Sequence, residues 1–126
     1  MPKKLPIEKT RLNDIVGQVK EDILGKRYEL SFAFVNKARI KFLNKTYRHK
    51  NEATDILSFP LEKNSGEILI CREIAKIKSK KFGMTLPNYL LFLVIHGNLH
   101  LKGLEHSDKM EKYEHAYYSR YRCGNL

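Results

Sequence analysis

Three histidines lie close together in the segment HGNLHLKGLEH, which begins at His96 and ends at His106. His96 and His100 are separated by one helical turn, so on a helix both imidazoles project from one face and can share a metal ion. Gly103 can adopt the left-handed conformation that ends a helix, which would let His106 approach from the following turn. Three neutral imidazoles and a water form the open tetrahedral site of catalytic zinc. The segment therefore predicts one Zn²⁺ ion held by His96, His100 and His106.

The residue after the first histidine sets this pattern apart from that of zinc proteases. The spacing of the three histidines and Gly103 matches HExxHxxGxxH, but Gly97 stands where that motif has its glutamate general base. Glycine cannot accept a proton, so the usual route to peptide hydrolysis loses its base, whereas zinc would still supply a Lewis acid and a water of lowered pKa. The pattern favours a substrate that carries its own charge, such as a phosphodiester.

A second polar segment, LNKTYRHKNEATDILSFP, begins at Leu43 and contains Arg48. A guanidinium can hold two phosphate oxygens and stabilise the charge that develops in a phosphoryl transition state. A plain surface role is the alternative interpretation for an arginine in a basic loop. Other side chains have simpler interpretations, which are solvent exposure for His49 and His115, burial at a strand end for Cys71, and packing or base stacking for Tyr117, Tyr118 and Tyr121.

The composition predicts one small domain that binds an acidic partner. A length of 126 residues with 42% hydrophobic content suffices for one core, so residues 1–126 are expected to form a single domain. The net charge of +10, from 24 Lys and Arg against 14 Asp and Glu, favours nucleic acid as the partner. Cys71 and Cys123 form no CxxC pair, which fits a reduced, cytoplasmic compartment. The longest apolar run, Tyr89 to Ile95, is too short to span a bilayer, and no signal peptide is expected.

The hydrophobic pattern predicts an α+β domain. Apolar residues at helical spacing, with capping residues, predict helices at about 8–24, after Asn36, at 73–82, at 88–101 and from Ser107 to about 121. Alternating or continuous apolar residues predict strands near 28–34, 54–59 and 67–72, with a loop at 47–53 and a turn at 63–66. We expect a small mixed sheet of about four strands flanked by helices, with a zincin-like metal site on a helix and its following turn.

These motifs resemble those of the YbeY family of bacterial endoribonucleases, also called rRNA maturation factors. HGNLHLKGLEH is similar to the family's HGxLHLxGxxH signature, and the resemblance covers about residues 43–110. The segment around Arg48 is similar to the family's NxxYRxKDxPTDVLSFP, and the matching residues are Asn44, Tyr47, Arg48 and Thr54 to Pro60, followed by Gly66, Glu67 and Ile68 in the next strand. The chain departs from the pattern without loss of a predicted ligand at Asn51, Ala53, Leu104 and Glu105.

The resemblance implies a metal-dependent hydrolase that cleaves single-stranded RNA in maturation of the 3′ end of small-subunit (16S) ribosomal RNA and in ribosome quality control. It implies that His96, His100 and His106 hold one Zn²⁺ ion and that Arg48 and His100 are catalytic. The implied partners are rRNA and the small ribosomal subunit with its proteins, away from membranes. Tyr47 and the tyrosines of the last helix are candidates for base stacking. Water and the ribose hydroxyl both remain candidates for the attacking group.

Two other functions fit part of the sequence. A zinc peptidase or amidase would share the ligand spacing, but Gly97 and the basic composition disfavour it. A non-catalytic ribosome-assembly factor, in which zinc is structural and the positive charge binds rRNA, also accommodates three histidines. A fourth protein ligand at the metal would favour the structural role, whereas a bound water would favour catalysis.

Overall fold

The computed structural model describes residues 7–105 and 107–122, with side chains from Leu12 onward. The third predicted ligand, His106, and Cys123 lie outside the described residues. The described elements, in chain order, are α1 (Ile7–Leu24), β1 (Glu29–Phe34), α2 (Lys37–Arg48), β2 (Ile56–Glu62), β3 (Ser65–Ile70), α3 (Arg72–Lys81), α4 (Leu86–Lys102) and α5 (Asp108–Tyr121). They confirm the predicted α+β class.

The three strands form one mixed sheet in the order β1-β3-β2. β1 runs parallel to β3, and β2 runs antiparallel to it, with Leu57 opposite Leu69. The turn between β2 and β3 lies within the predicted turn at 63–66. The described residues form three strands, one fewer than the four or so expected from the sequence. The three segments predicted as strands are the three that pair.

Helices cover both faces of the sheet. Successive side chains of a strand point to opposite faces, so Ile68 and Ile70 of β3 join the core formed with α1 and α4. Leu69 points the other way and packs in a smaller cluster with Ile40 and Leu43 of α2. The sheet therefore separates α2 from α1 and α4.

The histidine segment lies on α4, the most buried helix of the described part of the chain. Thr85 caps its first turn by accepting a hydrogen bond from the Asn88 backbone N–H, 3.3 Å away. Gly103 ends it in the left-handed conformation, with φ 106°, as predicted. α1, α3, α5 and the sheet all contact this helix, which explains why apolar residues occur all around it. No described helix is long and apolar enough to cross a membrane.

The predicted loop at 47–53 starts two residues too early. α2 includes Tyr47 and Arg48 and ends at His49, which has the left-handed φ of 61°. The Tyr47 ring contacts the Phe59 ring of β2, with centroids 5.4 Å apart, so a tertiary contact extends a helix whose last turn is polar in sequence. Arg48 therefore projects from a helix and not from a loop.

α4 and the sheet approach each other closely at Gly97. A Cβ atom at this position would lie 2.9 Å from Ile68 Cδ1 and 3.1 Å from Ile56 Cδ1. Both distances are shorter than ordinary van der Waals contact, so the helix backbone packs directly on two neighbouring strands. This close packing explains why glycine occupies position 97. It is a second reason, besides the missing carboxylate base that the sequence indicates.

Replacement of Gly97 by glutamate should destabilise the protein by about 2 kcal/mol or more, because the carboxylate would enter an apolar contact without a partner. Urea denaturation measures the change. Gly17→Glu is the matched control, since Gly17 is exposed within α1 and nothing lies within 4 Å of a Cβ there. The control should be neutral or slightly stabilising through helix propensity. Equal free energies of unfolding for the two variants would contradict the packing role.

Candidate active site

Two of the three predicted ligands lie side by side near the end of α4. The Nε2 atoms of His96 and His100 are 3.1 Å apart, and the two rings are nearly perpendicular, at 84°. Two imidazole nitrogens on one tetrahedral zinc would be about 3.3 Å apart, because each Zn–N bond is about 2.0–2.1 Å. Both side chains are only partly buried. The geometry of the pair therefore fits one shared, accessible zinc ion.

Glu114 of α5 contacts the other nitrogen of the first histidine. Its carboxylate is hydrogen-bonded to His96 Nδ1, and the Glu114 residue is only 8% exposed. When Nδ1–H donates to this carboxylate, the imidazole lone pair resides on Nε2, the atom that faces His100. On the same helix, Phe92 stacks on the His96 ring with centroids 6.1 Å apart. These contacts orient the His96 ring, and the carboxylate favours the tautomer with its lone pair on Nε2.

Glu114 was not predicted as a site residue from the sequence. It lies on a different helix from His96, and no local motif joins the two residues. Its spacing from Met110 offered one signal. Glu114 lies one helical turn after Met110, and both residues are buried on the inward face of α5. A buried carboxylate on an otherwise apolar helix face indicates a polar partner on the neighbouring element.

The third predicted ligand cannot be placed beside this pair, because His106 lies outside the described residues. Within the ranges 7–105 and 107–122, no three or more His, Cys, Asp or Glu side chains form a group that could hold a metal ion. On the far side of His106, Ser107 accepts a hydrogen bond from the Met110 backbone N–H at 3.2 Å and caps α5, as predicted.

Two hydrogen bonds connect Arg48 with the histidine helix through β2. Arg48 Nη2 donates to the Ser58 carbonyl oxygen at 3.1 Å, and Ser58 Oγ donates to the Gly97 carbonyl oxygen at 3.2 Å. The guanidinium carbon also lies 6.0 Å from the centroid of the Phe59 ring. Arg48 is exposed to solvent, yet these contacts hold its head group at the junction of β2 and α4.

The other singled-out side chains follow the simpler interpretations. His49 and His115 are exposed, and Cys71 is fully buried directly after β3, as predicted. The three tyrosines of α5 are partly buried and pack against the main core, which favours packing over base stacking; they are Tyr117, Tyr118 and Tyr121.

Asp55, directly before β2, contacts side chains of two helices. Its Oδ2 accepts a hydrogen bond from the Tyr89 hydroxyl of α4 at 2.7 Å and lies 3.6 Å from Lys78 Nζ of α3. The residue is 6% exposed, so this carboxylate fixes three elements in a poorly solvated position. Since β2 also carries Ser58, the same carboxylate helps to hold the Arg48 connection in place.

The Tyr89 contact generates a prediction for alkaline stability. Burial, together with the hydrogen bond to Asp55 and the charge of that carboxylate, raises the pKa of the Tyr89 phenol above its usual value. The stability that the neutral phenol contributes is complete below pH about 10 and is lost as the pH rises through the folded-state pKa. Tyr89→Phe should therefore flatten the decline of unfolding free energy above pH about 10, which urea denaturation at several pH values measures.

Tyr113→Phe provides the control for this experiment, because Tyr113 is an exposed tyrosine with 42% accessibility. The control should retain the decline of the original protein. The same decline in Tyr89→Phe as in the control would show that the buried phenol does not determine the alkaline stability.

Comparisons with known proteins agree with the resemblance of the motifs. A family model described as endoribonuclease YbeY matches residues 3–121. Relatives named endoribonuclease YbeY include one from Staphylococcus carnosus, 36% identical over 75% of this chain and 70% of the relative, and one from Staphylococcus epidermidis, 37% identical over 74% and 70%. The solution structure of TM1509 from Thermotoga maritima matches with a TM-score of 0.62 and 27% identity, over 98% of this chain and 90% of that one.

Proposed function

Because this chain belongs to the YbeY endoribonuclease family, we propose that it is a zinc-dependent endoribonuclease that cleaves single-stranded RNA. The observation that carries the proposal is the facing pair His96 and His100, with Nε2 atoms 3.1 Å apart. The proposed substrate is ribosomal RNA, including the 3′ end of the small-subunit (16S) rRNA, and the proposed role includes ribosome quality control. The proposed partners are the small ribosomal subunit and its proteins, in the cytoplasm.

The metal ligands of this proposal are His96, His100 and His106. When bound, zinc would supply a Lewis acid and a water of lowered pKa at this position. Glu114 keeps the His96 lone pair on Nε2 by accepting a hydrogen bond from Nδ1–H, so the imidazole is prepared for metal binding. Gly97 leaves α4 without the glutamate base of zinc proteases, which supports a phosphodiester substrate over a peptide.

Arg48 is the proposed phosphate-binding residue. Its guanidinium has five N–H donors, and the described hydrogen bond to the Ser58 carbonyl uses one of them. Two of the others can hold two phosphate oxygens, which neutralises charge as the phosphodiester bond breaks. The contacts with Ser58 and Phe59 restrict the guanidinium beforehand, so less conformational entropy is lost when a phosphate binds.

Two substitutions should separate the metal and phosphate roles. His100→Ala should lose both bound zinc and cleavage, because one imidazole ligand is gone. Arg48→Ala should keep its zinc and lose about 10²–10³-fold in kcat, the usual effect of removing one group that stabilises a transition-state anion. Zinc content and cleavage of matched single-stranded and duplex RNA measure the two effects.

His115→Ala is the control for this pair of variants, because it removes an exposed histidine of α5. It should keep both zinc and activity. Undiminished cleavage by His100→Ala would contradict the assignment. A zinc-loaded protein that binds rRNA without cleaving it would instead favour the structural role in ribosome assembly.

Removal of the Glu114 charge should weaken zinc binding without removal of a ligand. Glu114→Gln is expected to lower zinc affinity about 10–100-fold, because the His96 ring loses its charged hydrogen-bond acceptor. Competition with a chromophoric chelator measures the affinity. Glu111→Gln, an exposed carboxylate of the same helix, removes the same charge and should leave the affinity nearly unchanged. Equal zinc affinities for the two variants would contradict the proposed role of Glu114.

A further inference from the structure

α2 has a row of cations that the proposed chemistry uses only at one end. Lys37, Lys41, Lys45 and Arg48 are four, four and three residues apart, which places them along one side of the helix. All four are exposed, and no ion pair within the described part of the chain involves them. These four residues are called the α2 cation row.

The cation row does not stabilise α2. Like charges one turn apart repel each other, and the helix KARIKFLNKTYR contains no acidic residue that could compensate. The helix is held instead by the Asn36 cap, whose side chain accepts a hydrogen bond from the Arg39 backbone N–H at 2.8 Å, and by buried Ile40 and Leu43. An uncompensated row of like charges on an exposed helix side is complementary to a polyanion.

The row is continuous with the candidate active site. Its last member, Arg48, connects through Ser58 to Gly97, the residue that directly follows His96. From Arg48 the row extends for about 16 Å along the helix axis to Lys37, since each residue of a helix rises about 1.5 Å. A nucleic acid strand with one phosphate at Arg48 can therefore place its following phosphates along the row.

An exposed aromatic ring beside the row favours a single strand over a duplex. Phe42 is 58% exposed and lies one turn from both Arg39 and Lys45, and the Arg39 guanidinium carbon is 5.9 Å from its ring centroid. Exposed aromatic rings among cations stack unpaired bases, whereas the bases of a duplex are already stacked on each other. The chemistry of this face therefore matches single-stranded RNA.

We propose that α2 is a docking surface for the single-stranded RNA that flanks the cleavage position. Lys37, Lys41 and Lys45 bind successive phosphates, and Phe42 stacks on an unpaired base. The proposal rests on the proposed function, because it extends the substrate path outward from Arg48.

Binding of a nuclease-resistant 2′-O-methyl RNA of about 12 nucleotides, followed by fluorescence anisotropy, tests the surface. The double variant Lys41→Gln/Lys45→Gln should bind more weakly, and the slope of log K against log salt should fall by about 1.4, since each lost phosphate contact removes about 0.7. Phe42→Ala should weaken binding about fivefold or more, and Phe42→Trp should retain it.

The matched control is Lys76→Gln/Lys80→Gln, which removes the same charge from two exposed lysines one turn apart on α3. Its salt slope should stay nearly unchanged, because the proposed RNA path does not include these α3 lysines. Equal losses for the two pairs would overturn the proposal in favour of a general effect of net charge. Equal losses for duplex and single-stranded RNA in Phe42→Ala would overturn the single-strand assignment.

Cleavage of two substrate lengths separates this inference from the proposed function. A dinucleotide has a single phosphodiester, which occupies Arg48 and leaves no further phosphate for the lysines, so the α2 lysine variants should cleave it as the original protein does. The same variants should show a raised KM with the longer RNA. If the original protein cleaves neither RNA, the proposed function fails, and the anisotropy experiment still tests the cation row.

Discussion

The direct packing of α4 on the sheet at Gly97 brings the histidine helix into hydrogen-bond contact with β2, the strand that contacts Arg48. Because no side chain separates the helix from Ile56 and Ile68, the Gly97 carbonyl comes within 3.2 Å of Ser58 Oγ. Ser58 in turn accepts a hydrogen bond from Arg48 at its carbonyl oxygen. A larger residue at this position would separate the helix from β2 and weaken the connection between the histidines and the arginine.

Two buried carboxylates add charge-specific restraints to this apolar contact. Asp55 accepts a hydrogen bond from Tyr89 and so holds the start of β2 against α4. Glu114 holds the His96 ring from α5. Carboxylates in poorly solvated positions are costly unless they have partners, so each one favours a single arrangement of the elements that it joins. The site is therefore built from elements that are distant in sequence but tied together by polar contacts.

The exposed side of α2 carries positive charge, opposite in sign to the two buried carboxylates. The buried carboxylates contact His96 and Tyr89 of α4, while α2 presents cations and no anion to solvent. This separation suits the proposed approach of an anionic substrate along α2 toward Arg48. A basic surface that leads to the proposed phosphate-binding arginine would also raise the rate of encounter with a polyanion.

The sequence by itself determined the local features of this protein, because each depends on residues within a turn or a strand. The helical spacing of His96 and His100, the left-handed end at Gly103, the cap at Ser107 and the alternation of the strands all belong to this class. The motifs around the histidines also sufficed to indicate the family. Only the tertiary structure decided the strand order, the extension of α2 through Arg48, the packing at Gly97 and the contact of Glu114 with His96. These features depend on contacts between residues far apart in the chain, and spacing along the sequence does not specify which of those residues meet.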